Sequence, residues 1–191
     1  EQLSRELRSS VIFMGAMLSR MGTGELAYPG GCDLGPRPID LHLSALRTLG
    51  ADIREEQGTL RFGWSRWPRG REVCLALPSV GATENAMLAA CGCPGVTTIV
   101  GAAREPEIVD LGRFLAAMGA DIAGVGESTI VIRGGKALFP ARYTVMGDRI
   151  AGATYLCAAA AAGGEIELTG LRGEHLSALL AILEEAGCVV Y

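Results

Sequence analysis

Apolar residues along this chain fall into two alternating rhythms. The stretches "IDLHLSALRTLGADI", "IVDLGRFLAAMGADI" and "LSALLAILEEAGCVV" each carry apolar residues at helical spacing. Each stops at a glycine and continues into a short β-branched segment. The stops are Gly50, Gly119 and Gly187, separated by 69 and 68 residues. An apolar residue recurs four positions before each stop (Leu46, Leu115, Leu183) and another eleven before (Ile39, Ile108, Leu176). Residues seven apart share one helix face, and a glycine in left-handed conformation is the expected terminator.

The second rhythm is that of strands. "GELAYPG", "GVTTIVG" and "GEIELTG" each read as a strand starting at Gly24, Gly95 and Gly164, with separations of 71 and 69. A helix of small and apolar residues precedes each: "SSVIFMGAMLSRMG", "GATENAMLAACG" and "GATYLCAAAAAGG". "EVCLAL" and "STIVIRG" supply further strands. One unit is therefore helix, strand, helix and strands, and the chain holds just under three units. It begins inside one and stops inside another. Solenoids usually have shorter periods, so the pattern favours units closing around an axis into a compact α/β domain.

Composition narrows the class. Apolar residues make up 49% of the 191 and charged residues 20%, with a net charge of −4. There is ample material for a core and no basic run, so neither nucleic acid nor an anionic membrane is an expected partner. "IAGATYLCAAAAAGG" is too short and too rich in small residues to span a bilayer. No signal-peptide pattern opens the chain, and a reduced, cytoplasmic setting is expected for its six cysteines. Most of them sit in apolar stretches, where Cys behaves as a small hydrophobe. "CGC" at 91–93 lacks a second Cys or His cluster, so no metal is expected. Cys32 differs, being framed by glycines and polar residues. Arg37 stands five residues on, between Pro36 and Pro38. An arginine nearby favours thiolate over thiol.

Four stretches occur in the order "PGGCDLGPRPIDLH", "PSVGATENAMLAA", "AAREPEIVDL" and "GDRIAGATYLCAAA". Together they resemble the UDP-N-acetylglucosamine enolpyruvyl transferases over essentially the whole chain. The resemblance implies an inside-out α/β barrel, built from repeated βαβαββ units of about 69 residues with helices inside. It also implies that this chain corresponds to the middle of a longer protein. Residues 1–146 would be most of the catalytic domain that carries the Cys loop, and 147–191 the start of a second, truncated domain. The implied reaction transfers enolpyruvyl from phosphoenolpyruvate to the 3′-hydroxyl of UDP-N-acetylglucosamine and releases phosphate, the first committed step of peptidoglycan synthesis. It needs no cofactor. The family's remaining cations and its base would lie outside these residues, so the chain alone is expected to bind without turnover.

The same resemblance makes Cys32 the proton donor and the target of fosfomycin. Arg8, Arg37, Pro38, Ile39, Asp40, Leu41 and the turn Ser79–Val80–Gly81 become substrate ligands. Arg104, Glu105 and Glu107 would line the cleft, as would Asp148 and Arg149. Simpler readings stand beside these: an incidental loop thiol, surface arginines, a Ser79 helix cap and a solvated acidic loop. His42 at a helix start reads as structural, and Trp64 and Trp67 as hairpin packing. The family pattern PDRIEAGT is here "GDRIAGAT", with Gly147 for Pro and Ala151 for Glu. That departure puts the role of Asp148 and Arg149 in doubt. It leaves open an inactive paralogue that binds a nucleotide sugar or a protein partner. A shikimate-pathway enolpyruvyl transferase is a further alternative on the same fold.

Overall fold

The computed structural model describes residues 8–29, 38–65 and 67–191. It divides into two compact units, Glu1–Tyr143 and Thr144–Tyr191.

The first unit opens with a 3-10 turn, Arg8–Ile12, that runs into α1 (Phe13–Met21). β1 (Thr23–Ala27), α2 (Asp40–Thr48), β2 (Ala51–Glu56) and β3 (Thr59–Trp64) follow. A second set continues with β4 (Glu72–Cys74), α3 (Val80–Gly92), β5 (Gly95–Val100), α4 (Pro106–Ala117), β6 (Asp121–Ala123) and β7 (Thr129–Gly134). This second set is a complete βαβαββ unit.

The two sheets repeat one another. The first has the order β1-β3-β2, antiparallel throughout, and the second β4-β5-β7-β6. In both, the last strand (β3 or β7) lies between two antiparallel partners, β1 and β2 in the first sheet and β5 and β6 in the second. β4 adds a parallel edge to β5. Alternation fixes which face is buried. Leu60, Phe62, Ala51 and Ile53 point inward from the first sheet; Val73, Ile99, Ile130 and Ile132 do so from the second. The outer face of the first sheet carries Glu25, Asp52, Arg54, Glu56 and Arg61, which pair with one another. Such exposed pairs contribute little stability.

α3 lies at the centre of the core, while α2 and α4 each keep an exposed face. α3 is apolar or small nearly all round, and Ala82, Ala86, Met87, Ala89, Ala90 and Cys91 are buried. A helix of that kind belongs inside a core. It packs on α1, α2, α4 and β7. Contact with α1 is close because of two glycines. A Cβ at Gly15 would lie 2.8 Å from Asn85 Oδ1, and one at Gly92 would lie 2.6 Å from Ser19 Cα. These two contacts, early with early and late with late, make α1 and α3 parallel.

The stop glycines are equivalent in detail. Gly50, Gly119 and Gly187 have φ of 106°, 97° and 92°. Each donates its N–H to the carbonyl three residues back, Arg47, Ala116 and Glu184, at 3.0, 2.9 and 2.9 Å. Ile39, Ile108 and Leu176, eleven before each stop, are all buried. The segment after β7 closes the first unit over α4. Tyr143 Oη donates to Asp110 Oδ1 (2.9 Å) and its ring stands 5.4 Å from that of Phe114.

The second unit holds α5 (Arg149–Ala162), a 3-10 turn (Gly173–Leu176) and α6 (Ser177–Glu185). Gly152 is the one buried residue of α5. The strand expected at Gly164 does not form: residues 164–169 lie outside regular structure. A strand requires a ladder partner, and the described residues of this unit contain none.

Two further expectations are corrected. Cys74 and Cys157 are exposed rather than core-like, while Cys91 and Cys93 are buried. Trp64 packs, donating Nε1–H to the Leu18 carbonyl (2.8 Å), but Trp67 is 78% exposed. No helix among the described residues is long and apolar enough to cross a membrane.

Candidate functional site

Helix beginnings converge on the start of α3. Ser79 is its N-cap, and Ser79 Oγ accepts from Ala82 N–H at 3.4 Å. The bond is long, which leaves this cap weakly satisfied by its own chain. Thr83, fully buried one turn in, donates Oγ1–H to the Ser79 carbonyl (2.7 Å) and accepts from Ala103 N–H (3.1 Å). That hydroxyl ties the Ser79–Gly81 turn to the exit of β5, where Arg104, Glu105 and Glu107 follow.

Asn85 ties in two more segments. Its Oδ1 accepts from Gly15 N–H (2.7 Å), and its Nδ2 donates to the Val11 carbonyl (2.9 Å). Nδ2 also stands 3.0 Å from His42 Nδ1. His42 is buried in the first turn of α2, and a Cβ at Gly81 would lie 2.8 Å from its Cε1. The 3-10 turn, the start of α2, the start of α3 and the exit of β5 are thus bound into one cluster. Helix N-termini offer free N–H groups and a partial positive charge, so a gathering of several suits anions.

The expected ligands distribute over this cluster. Arg8 begins the 3-10 turn. Pro38 and Asp40 are exposed, Leu41 is half-buried, and Ile39 is buried as the helix anchor. Ser79, Val80 and Gly81 are half-buried at the opening of α3. Arg104 is exposed, and its backbone N–H is taken by Glu105 Oε2 (2.9 Å). Glu105 precedes Pro106 at the start of α4, and Glu107 lies in the first turn. Cys32 and Arg37 lie outside the described residues.

Asp148 and Arg149 belong to the second unit. Asp148 caps α5, accepting from Ile150 and Ala151 N–H at 2.9 Å each. Gly147 packs against the backbone of Gly170, and a Cβ there would lie 2.8 Å from Leu171 Cδ2. The Gly147 departure therefore has a local packing reason.

Two participants were not anticipated. Asn85 sits in an alanine-rich helix without periodic contrast, and only "TEN" among apolar neighbours marks it. Glu84 is half-buried, and its carboxyl is pushed above its ordinary value, first by burial and then by the Glu107 charge. That repulsion sets Glu84 of α3 against the expected cleft residue Glu107.

Two sheets enclosing parallel helices, with helix starts gathered at one end, form the fold of the enolpyruvyl transferases. The enolpyruvyl transferase NikO from Streptomyces tendae superposes with a TM-score of 0.75 at 21% identity, over 97% of this chain and 45% of that one. An EPSP synthase from Acinetobacter baumannii gives 0.59 at 26% identity, over 80% of this chain and 34% of that one. The family model of EPSP synthase (3-phosphoshikimate 1-carboxyvinyltransferase) matches residues 1–191, and the chain belongs to that family. Among its curated relatives, UDP-N-acetylglucosamine 1-carboxyvinyltransferase 2 of Caldanaerobacter subterraneus subsp. tengcongensis is 50% identical over 98% of this chain. UDP-N-acetylglucosamine 1-carboxyvinyltransferase 1 of Symbiobacterium thermophilum is 49% identical over 98%. The chain spans 45% and 42% of the length of those two proteins.

Proposed function

We propose that this chain is the Cys-loop part of an enzyme that transfers enolpyruvyl from phosphoenolpyruvate to the 3′-hydroxyl of UDP-N-acetylglucosamine. The observation that carries the reading is the set of relatives bearing that enzyme's name, 50% and 49% identical across nearly the whole chain. The shikimate-pathway alternative has weaker support, since the Acinetobacter EPSP synthase is 26% identical over a smaller share.

The chemistry follows from charge. Both substrates are phosphorylated, so cations and backbone N–H groups must hold them. In this reading Arg8 and Arg37 supply guanidinium groups. The backbone of residues 37–41 and the Ser79–Gly81 turn receive the UDP end. Cys32 Sγ–H gives its proton to the methylene carbon of phosphoenolpyruvate. The sugar oxygen then adds to the adjacent carbon and gives up its proton to a base. Loss of phosphate and of a methyl proton restores the double bond. Arg104, Glu105 and Glu107 line the cleft in this reading. No cofactor takes part. The product belongs to peptidoglycan synthesis, and the setting is the cytoplasm.

The test is phosphate release by the complete protein from phosphoenolpyruvate with UDP-N-acetylglucosamine, and separately with shikimate 3-phosphate. Turnover with the UDP-sugar alone, abolished by Cys32→Ala, is expected. Turnover with shikimate 3-phosphate would overturn the substrate assignment. UDP-sugar binding without any phosphate release would favour the inactive paralogue, a reading motivated by the altered "GDRIAGAT" motif. The 191 residues by themselves are expected to bind UDP-sugar weakly and not to turn over. General-base help alone is worth about 10²–10⁴-fold, and no base is assigned within them.

A further inference from the structure

Asn85 is a fully buried amide in the middle of the helix cluster, and its orientation is fixed by its neighbours. Gly15 N–H is a donor, so the atom 2.7 Å from it is the amide oxygen. The Val11 carbonyl is an acceptor, so the atom 2.9 Å from it is the amide nitrogen. The same nitrogen faces His42 Nδ1 at 3.0 Å with its second hydrogen. Nδ1 must therefore accept. A neutral imidazole that accepts at Nδ1 carries its proton on Nε2. A charged imidazole would set two donors against each other.

We propose that Asn85 is a positioning residue: it holds His42 as the neutral Nε2–H tautomer and locks the Arg8 turn, the start of α2 and the start of α3 in register. The Cε1–Nε2 edge of His42 lies against Gly81, where a Cβ would stand 2.8 Å from Cε1 and 3.2 Å from Nε2. The ring is thus the wedge that sets the Ser79–Gly81 turn, and Asn85 sets the ring. The proposal rests on the reading of that turn as part of the UDP-sugar site. Asn85 acts through His42, Gly15 and Val11 and is assigned no contact with substrate. A buried network of this kind specifies one arrangement only when every member is satisfied. Here one amide satisfies a donor from α1, an acceptor from the 3-10 turn and an acceptor from α2.

The experiment is ¹⁵N NMR of the His42 ring in the complete ligand-free protein at neutral pH, with steady-state kinetics of Asn85→Asp. An unprotonated Nδ1 and a protonated Nε2 are expected in the unsubstituted protein. The carboxylate of Asn85→Asp still accepts from Gly15 but donates to nothing. His42 should then turn over to an Nδ1-protonated form. The KM for UDP-N-acetylglucosamine should rise about tenfold, roughly the worth of one buried hydrogen bond, with kcat changed less. A protonated Nδ1 in the unsubstituted protein overturns the proposal, whether or not the variant folds. So does an Asn85→Asp protein with unchanged tautomer and KM. Absence of UDP-sugar binding by the unsubstituted protein would instead sink the functional reading, while the ring measurement still decides the tautomer.

Discussion

Cysteine environments set which thiols react. Burial pushes the Cys91 thiol up to about 11; Cys93 rises to about 12, first through burial and then through Cys91. Both are held as neutral thiols away from solvent, whereas Cys74 and Cys157 are exposed. Brief alkylation of the folded protein should therefore modify Cys74 and Cys157 and spare Cys91 and Cys93, as read by peptide mass spectrometry. Glu84 gives a pH signature. Its carboxyl is raised above the ordinary 4.5, so the proton is held more tightly folded than unfolded. The associated stability is present at low pH and lost as pH rises through the folded value. Glu84→Gln should raise the thermal midpoint more at pH 7 than at pH 4. An equal change at both would show that the strain is not electrostatic. Neither residue announces itself in sequence. Cys74 lies in the apolar run "VCLAL" but points out from a strand, and Glu84 meets a carboxylate 23 positions away.

Element ends were the most legible feature, because glycine stops and apolar anchors are local chemistry. Gly50, Gly119 and Gly187 all terminate helices with the same bond. Contacts between helices were not legible. Gly15 reads as a defect in a helix, since alanine there is worth about 1 kcal/mol in propensity. Its reason lies 70 residues on, at Asn85. Gly15→Ala should destabilise despite the propensity gain. The new Cβ meets the backbone carbonyl as well as the amide of Asn85, and backbone cannot swing aside. Overpacking of this kind costs about 1–3 kcal/mol, which exceeds the gain. Urea unfolding of the variant measures it, and a midpoint at or above that of the unsubstituted protein refutes the argument. The missing strand at 164–169 shows the opposite limit. Its alternation is strand-like, but alternation supplies only half of a ladder.

At the scale of the whole molecule the two units differ in how much they bury. The first has a continuous core running from Val11 to Ile132. The second leaves Ile150, Tyr155, Ile182 and Val189 59–75% exposed. Amide exchange of the 191-residue chain should accordingly be slowest in α3, β5 and β7, and fast throughout α5 and α6, as followed by mass spectrometry. Protection in α5 matching that in α3 would contradict this. The period near 69 residues already implied repeated α/β units, and the pairing β1-β3-β2 against β5-β7-β6 makes the repetition explicit. What the period does not carry is the gathering of helix starts, since parallel α1 and α3 follow from glycine contacts rather than from spacing. Motif resemblance pointed to the Ser79–Gly81 turn and the Arg104 loop, yet not to the Asn85 amide that holds the start of α2 to the 3-10 turn.

The three helix stops also have a consequence for chirality. A φ near +100° is uphill for an L-residue and ordinary for its mirror image. Glycine occupies Gly50, Gly119 and Gly187 because the genetic code offers no D-residue, and the cost is extra freedom in the unfolded chain. Gly187 is the cleanest case, with φ of 92° and nothing within 4 Å of a built Cβ. A chain assembled by chemical ligation with D-alanine at position 187 should melt higher than the glycine form, by about 0.4–1 kcal/mol of stability. The L-alanine version should melt lower. The pair, compared by circular dichroism, reads handedness out of a position that in nature has none.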